Sequence, residues 1–385
     1  MQWSIRSLLN PVIARCLIYD VSPFDLEHVL RKVEEKSLLN SKMLENTWMT
    51  EWKQKAEYFI DLAENARGKN QKRSVSEYYQ LAARCYYACY LLNSDLVESK
   101  QSVYDNFSYC YQQYVLNSDQ HVEEVLIPMG EGVFLPGYLH FPNGKEFHEP
   151  YPCVTIYVGM GSSKEEVEIE ARALINRGIA VLALDMPGTG DALFKYGLKL
   201  HADLIEQAFD EIMKFLSAHP MIDKERLGTY GLCMGGGLAY RAAAKYPSVK
   251  ACVNLFPLFV SMVNLDSIPR WMRQGLWADY QIGFSDKEEW IRTMGTLEKD
   301  DVKGQYLLVH SEFDNWMEQE KNSCIYNKTT GEKREIIIKQ QPVYATKESI
   351  MHAMPVGEQM HWVKIQAADF LVEAFQLNCH GGYHE

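Results

Sequence analysis

The stretch RLGTYGLCMGGGLAYRAAAKYP (residues 226–247) carries a single thiol where a predicted strand meets a predicted helix. Its residues 231–235, GLCMG, fit the pattern Gly-x-nucleophile-x-Gly of a nucleophile elbow. The turn of an elbow is so tight that side chains two residues before or after the nucleophile would clash, and glycine removes the clash. The start of the following helix directs a positive dipole at Cys233, which favours the thiolate. We therefore predict that Cys233 is a nucleophile; the alternative is a buried structural cysteine.

Apolar runs that alternate with helical stretches flank this elbow on both sides. Continuous apolar strands between helices predict a mostly parallel sheet covered by helices on both faces, which is an α/β class of fold. Alternating residues at 121–129 and 133–142 predict an antiparallel hairpin before that sheet. The predicted strands of the sheet are CVTIYV (153–158), IAVLAL (179–184), RLGTY (226–230), ACVNLF (251–256), QYLLVH (305–310) and EIIIKQ (335–340).

The part of the chain before the hairpin has a different pattern, with tyrosine and alanine at helical spacing between 74 and 117. We predict a helical cap domain over 1–117 and a catalytic domain over 118–385. The interval 257–300 is too long for a simple crossover and predicts a lid. Its aromatic residues Trp271, Trp277 and Tyr280 are candidates for the substrate pocket, although aromatic residues at helical spacing are also typical of ordinary core.

A thiol nucleophile needs a base and an orienting acid, which in this type of fold follow in the order nucleophile, acid, histidine. Asp314 lies just past the strand 305–310, at a sheet edge where ligands bind, and is preferred to Glu312, which comes too soon after the strand. His352 lies in a loop after the last strand and is the predicted base. His361 falls in the final predicted helix and is expected to be a surface or packing residue.

Attack on a carbonyl also requires two backbone donors for the oxyanion. The N–H of Met234 comes directly after the nucleophile and is one predicted donor. The other is expected in the loop VGMGSSKEE (158–166), at Met160, where the flanking glycines allow the backbone to turn inward. The segment LDMPGTGDA (184–192) lacks the Gly-Lys-Ser/Thr ending of a phosphate loop and predicts a structural turn at the pocket rim.

Composition limits the classes of partner. A net charge of −12 over 385 residues argues against nucleic acid, which requires clustered cationic residues. Nine scattered cysteines predict a reducing compartment, and the first 25 residues make a poor signal peptide, so a soluble cytoplasmic protein without membrane attachment is expected. The tail NCHGGYHE (378–385) could suggest a metal, but its position at a terminus disfavours that interpretation, and neither metal nor organic cofactor is predicted.

The motifs SSKEE (162–166) and DMPGTGDALF (185–194), together with the elbow, resemble the α/β-hydrolase superfamily. More narrowly they are similar to the branch that contains 2,6-dihydropseudooxynicotine hydrolase, the fermentation-respiration-switch protein and hydrolases that shorten polyketide chains in pigment pathways. The resemblance implies an α/β-hydrolase fold with a helical N-terminal cap. It also implies cleavage of a carbon–carbon bond or a (thio)ester, or a cyclising release, on an aromatic or polyketide-like small molecule in secondary metabolism.

One residue departs from that branch, which usually carries serine where this chain has Cys233. The cysteine elbow of this chain resembles those of dienelactone hydrolases and of polyhydroxyalkanoate synthases. An acyltransferase of the second kind is therefore an alternative. A non-catalytic regulatory or binding protein of hydrolase shape is a second alternative. The substrate is expected either free or delivered on a carrier protein, and a homodimer is compatible with the sequence.

Overall fold

The computed structural model describes residues 5–36, 41–92, 97–144, 148–159, 161–259, 262, 300–314, 316–340 and 354–377. The chain divides between Gln120 and His121 into two compact units. The roles of these two parts as cap and catalytic domain stay predictions. Among the helices described, none is long and apolar enough to cross a membrane.

The first unit is helical. Its helices are α1 (Ile5–Ile18), α2 (Pro23–Lys36), α3 (Ser41–Gly68), α4 (Lys72–Leu91) and α5 (Val97–Asn117). The aromatic stripes of α4 and α5 are buried and pack against each other, with ring centroids 5.7 Å apart for Tyr87 and Phe107 and 5.8 Å apart for Tyr90 and Tyr104. The buried aromatic residues of these two helices therefore form part of the core of this unit.

In the residues described, the second unit contains an eight-stranded sheet. Its strands are β1 (Val122–Gly130), β2 (Val133–His140), β3 (Tyr151–Tyr157), β4 (Ala180–Leu184), β5 (Ile222–Leu232), β6 (Val249–Leu255), β7 (Gln305–Ser311) and β8 (Lys333–Ile338). They lie side by side in the order β1-β2-β4-β3-β5-β6-β7-β8. The strands β1 and β2 form the predicted antiparallel hairpin, β2 pairs antiparallel with β4, and the remaining pairs are parallel, which confirms the mostly parallel sheet.

Strand β5 begins four residues earlier than its apolar pattern predicts. Its first part, Asp223 to Glu225, is polar and largely exposed, whereas every residue from Leu227 to Leu232 is buried. Hydrophobic patterning reveals a strand only where its residues are buried, so the exposed start of β5 could not be predicted from the sequence. The buried end of β5 leads directly into the elbow.

Helices cover both faces of the sheet, as predicted. The helices described in this unit are α6 (Glu168–Ile175), α7 (Gly190–Phe194), α8 (Ala202–Ala218), α9 (Met234–Lys245), α10 (Gln319–Lys328) and α11 (Glu358–Ala374), with a 3-10 turn at Lys164–Val167. Helices α8 and α9 share one large core with the sheet. Helices α6 and α11 pack against each other on the opposite face, where Phe375 and Val154 both lie against Gly228. The predicted lid lies outside the described residues from 263 to 299.

Candidate active site

The backbone of Cys233 forms a sharp turn between β5 and α9. Its φ of 58° and ψ of −129° are in a region that residues other than glycine rarely adopt. The carbonyl of Cys233 accepts hydrogen bonds from the N–H of Gly236 at 2.9 Å and of Leu258 at 2.8 Å, and its own N–H donates to the Leu255 carbonyl at 3.1 Å. These bonds hold a strained conformation of the kind that proteins retain at functional positions.

The glycines around the elbow are required by close backbone contacts. A Cβ at Gly231 would clash with the carbonyl of Gly235, and a Cβ at Gly235 would clash with the carbonyl of Tyr157 at the end of β3. The two glycines that sequence analysis assigned to the elbow therefore allow β3, β5 and α9 to meet at one point.

The loop that follows β3 lies directly against the candidate nucleophile. A Cβ built on Gly159 would lie 3.1 Å from Cβ and 3.5 Å from Sγ of Cys233. Gly161 has a φ of 64°, and the N–H of Ser162 donates to the Gly159 carbonyl at 3.2 Å, so the loop turns back on itself. Met160, the predicted oxyanion donor of this loop, lies outside the described residues. The other predicted donor, Met234, is buried as the first residue of α9.

Asp314 is buried just beyond β7, at the same edge of the sheet as the elbow. Its Oδ1 accepts hydrogen bonds from the N–H groups of Trp316 at 2.9 Å and Met317 at 3.1 Å, which fix the carboxylate in the turn. The rival carboxylate, Glu312, is exposed to solvent. Within the part of the chain that the structure describes, Asp314 has its carboxylate fixed by backbone hydrogen bonds, and no such bond holds the side chain of Glu312.

The candidate base His352 lies outside the described residues, as do the candidate pocket residues Trp271, Trp277 and Tyr280. The rival His361 is exposed on α11. Two further histidines, His140 and His310, are buried, and the Nε2 of His310 lies 2.9 Å from Glu335 Oε1. Burial lowers the pKa of His140 to about 4, which keeps that ring neutral.

Partial exposure to solvent distinguishes Cys233 from most of the other cysteines described, which are buried. Burial raises the pKa of Cys85, Cys110, Cys153 and Cys252 to about 12, and it also raises the pKa of Cys16 and Cys89. Cys233 is half-buried, and Cys324 on α10 is exposed. Cys233 thus combines partial exposure with a strained turn that has a helix start on one side and a glycine loop on the other. These are the features that a cysteine nucleophile requires.

Sequence reasoning missed an ion cluster beside this loop, in which Lys164 of SSKEE binds Asp185 and Asp191 of DMPGTGDALF. For the segment that contains the second motif, the sequence predicts only a turn at the pocket rim. The signal in the sequence was that both motifs place charged residues in the segment that follows an apolar strand.

Comparison with known proteins identifies a family. The model of the family described as esterase FrsA-like matches residues 37–273. The α/β hydrolase xenA of Xenoacremonium sinensis is 30% identical over 59% of this chain and 55% of its own length. The 20-hydroxy-prefusarin hydrolase FUS2 of Gibberella moniliformis is 29% identical over 60% and 56%, respectively. The chain thus spans about half the length of the curated relatives it matches.

The fold has a counterpart among solved structures. The crystal structure of 2,6-dihydroxy-pseudo-oxynicotine hydrolase superimposes with a TM-score of 0.72, at 18% identity, over 94% of this chain and 95% of that one. At this identity the likeness shows the α/β-hydrolase fold alone.

Proposed function

This chain belongs to the FrsA-like esterase family, and on that premise we propose that it is a hydrolase that uses Cys233 as its nucleophile. The observation that carries the proposal is the conformation of Cys233, which stands at φ 58° on the turn between β5 and α9 with the Gly159 loop against its side chain. In this proposal His352 is the base and Asp314 is the acid that orients it.

The proposed reaction is acyl transfer in two steps. His352 takes the proton of Cys233, and the thiolate attacks the carbonyl carbon while the N–H groups of Met234 and Met160 bind the oxyanion. Collapse of the tetrahedral intermediate breaks the bond to the leaving group, which receives the proton from His352, and leaves a thioester. Water then attacks the thioester with His352 as base, which releases a carboxylic acid and restores the thiol.

Burial and hydrogen bonding support Asp314 as the acid. Two backbone N–H groups fix its Oδ1, so its other oxygen has a defined direction in which to orient an imidazole. Glu312 is exposed and would lose much of that orienting effect to solvent.

The proposed substrate is an apolar, aromatic or polyketide-like small molecule with a carbonyl group, which is cleaved at a carbon–carbon bond or a (thio)ester. Support comes from relatives named for hydrolysis of 20-hydroxy-prefusarin and of 2,6-dihydropseudooxynicotine. A thioester intermediate also passes to nucleophiles other than water, so cyclising release belongs to the same proposal.

The test uses an activated aryl ester and intact-mass analysis. Wild-type protein should gain one acyl group, released by hydroxylamine, and should turn over the ester. Cys233→Ala should lose the adduct and at least about 100-fold in turnover, and His352→Ala should lose a similar factor. Cys324→Ala, which removes an exposed thiol, is the matched control and should behave as wild type. Full turnover by both Cys233→Ala and His352→Ala would exclude the assignment, and an unacylated wild type would favour a binding or regulatory role.

A further inference from the structure

A buried lysine joins the loop after β3 to the loop after β4. Lys164 is 3% exposed, and its Nζ lies 2.8 Å from Asp185 Oδ2, 2.8 Å from Asp191 Oδ2 and 2.8 Å from Glu165 Oε1. The ammonium group also lies 5.7 Å from the ring centroid of Tyr138 on β2. One side chain therefore binds groups from three segments of the chain.

Asp185 is the second member of this junction. Its Oδ1 accepts the backbone N–H of Lys164 at 2.8 Å, and its Oδ2 accepts the backbone N–H of Asp191 at 2.9 Å. Gly190 has a φ of 44°, and a Cβ there would clash with the Asp185 carboxylate. Gly190 thus leaves room for the Asp185 carboxylate, which binds Lys164.

The junction fixes the far end of the loop that touches Cys233. That loop leaves β3 at Tyr157, passes the nucleophile at Gly159 and reaches Lys164 five residues later. The Ser163 N–H donates to Glu166 Oε1 at 3.0 Å, which ties the residue before Lys164 to the 3-10 turn that follows it. Movement of Lys164 would therefore be transmitted to the backbone beside the thiol.

Stability alone gives little reason for such a cluster. Burying charges costs several kcal/mol per ion, and apolar residues of similar volume often stabilise a protein as well or better. Burial also raises the pKa of Asp185 to about 6, with Lys164 opposing that shift, so the carboxylate is held at a cost. Charged groups do supply a fixed geometry, which a loop of oxyanion donors needs to within a fraction of an ångström.

We propose that Lys164 is a positioning residue for acyl transfer: bound to Asp185 and Asp191, it fixes the end of the loop that passes Cys233 at Gly159, and so it sets the position of the backbone N–H groups that would bind the oxyanion formed at Cys233. This inference rests on the proposed function.

The experiment compares two reactions of the same thiol. Acylation by p-nitrophenyl acetate forms an oxyanion, whereas alkylation by iodoacetamide displaces iodide from carbon and forms none. In Lys164→Met the acylation rate of Cys233 should fall about 10- to 100-fold while its alkylation rate stays within about two-fold.

Gly190→Ala, which changes no charge but crowds Asp185, should have the same selective effect. Lys245→Met is the matched control, since Lys245 Nζ binds Glu206 and Asp210 between α8 and α9, each at 2.8 Å, and it should change neither rate.

Asp191 provides a milder variant in case the others do not fold, because its side chain is one-quarter exposed. Asp191→Ala should lower acylation alone by several-fold, and Asp191→Asn, which keeps an oxygen for Lys164, should restore most of it. Equal acylation in wild type and in every folded variant would overturn the inference, as would a parallel fall in both rates. A wild type that alkylates but does not acylate would instead overturn the proposed function, and this inference with it.

Discussion

At the scale of single residues, the structure explains why a lone thiol stands between glycines. Backbone of α9 comes too close to Gly231 for a side chain, backbone at the end of β3 comes too close to Gly235, and Cys233 itself is held at positive φ. These facts follow from the sequence pattern, because an elbow tolerates only glycine at those positions. The contact of Gly159 with the thiol does not follow from it, because it depends on how β3 and β5 pair.

The first residue-scale prediction concerns thiol reactivity. Because the helix start beside Cys233 favours the thiolate, iodoacetamide should label Cys233 at pH 7 faster than Cys324, which is exposed. Cys252 should label slowest in the native protein, because burial raises its pKa to about 12. Labelling against pH with peptide mass analysis measures all three. A Cys233 no faster than Cys324 would mean that the turn does not activate the thiol.

The second residue-scale prediction concerns Gly159. An alanine Cβ would lie 3.1 Å from Cβ and 3.5 Å from Sγ of Cys233, closer than ordinary van der Waals contact at the first of these atoms. Because hydrogen bonds fix the Cys233 backbone, the loop must move, and Gly159→Ala should lower the acylation rate about ten-fold. Gly68→Ala is the matched control, since a Cβ there meets nothing within 4 Å. Stopped-flow acylation is the measurement, and equal rates in both variants would contradict the predicted crowding.

At the scale of elements, apolar runs predicted the parallel strands and tyrosine spacing predicted α4 and α5, since burial creates both patterns. The ion cluster could not be predicted in the same way. Lys164 and Asp185 are 21 residues apart, and which carboxylate a lysine meets depends on the pairing of β3 with β4. Charged residues in a sequence usually indicate exposed positions. They do not show which lysine and carboxylate form a buried ion pair between two loops.

The element-scale prediction tests whether the aromatic stripe serves packing or substrate. Tyr104 on α5 is fully buried against Tyr90 and Phe107, so Tyr104→Ala should cost about 3–5 kcal/mol of unfolding free energy. The ratio of turnover for large and small aryl esters should not change. Tyr58→Ala, at a ring that is 59% exposed, should cost about 1 kcal/mol or less. Urea unfolding and ester kinetics measure both effects, and a changed ratio in Tyr104→Ala without loss of stability would assign the stripe to the substrate.

At the scale of the whole molecule, the fold brings the candidate site residues to one edge of the sheet. The elbow, the loop after β3 and Asp314 all follow the carboxyl ends of parallel strands, which is where α/β sheets bind ligands. Elsewhere in the sheet there are buried polar groups whose protonation bears on stability. His140 is such a group: it lies in the β2–β4 pairing, with the Tyr138 ring 6.3 Å away and Glu168 the charge acting on it.

His140 predicts how the stability of the whole protein responds to acid. Its pKa is about 4 in the fold, because burial disfavours the charged ring, and about 6.5 when unfolded. Between these values only the unfolded chain binds the proton, so unfolding becomes easier as pH falls from 6.5 to 4, by at most about 3 kcal/mol. His140→Leu cannot bind that proton, and its urea midpoint should fall less over this range than that of wild type. His148→Leu, at an exposed histidine, should keep the wild-type slope. Urea midpoints at pH 7, 5.5 and 4.5 provide the test, and parallel curves for wild type and His140→Leu would mean that His140 takes up its proton in the folded protein.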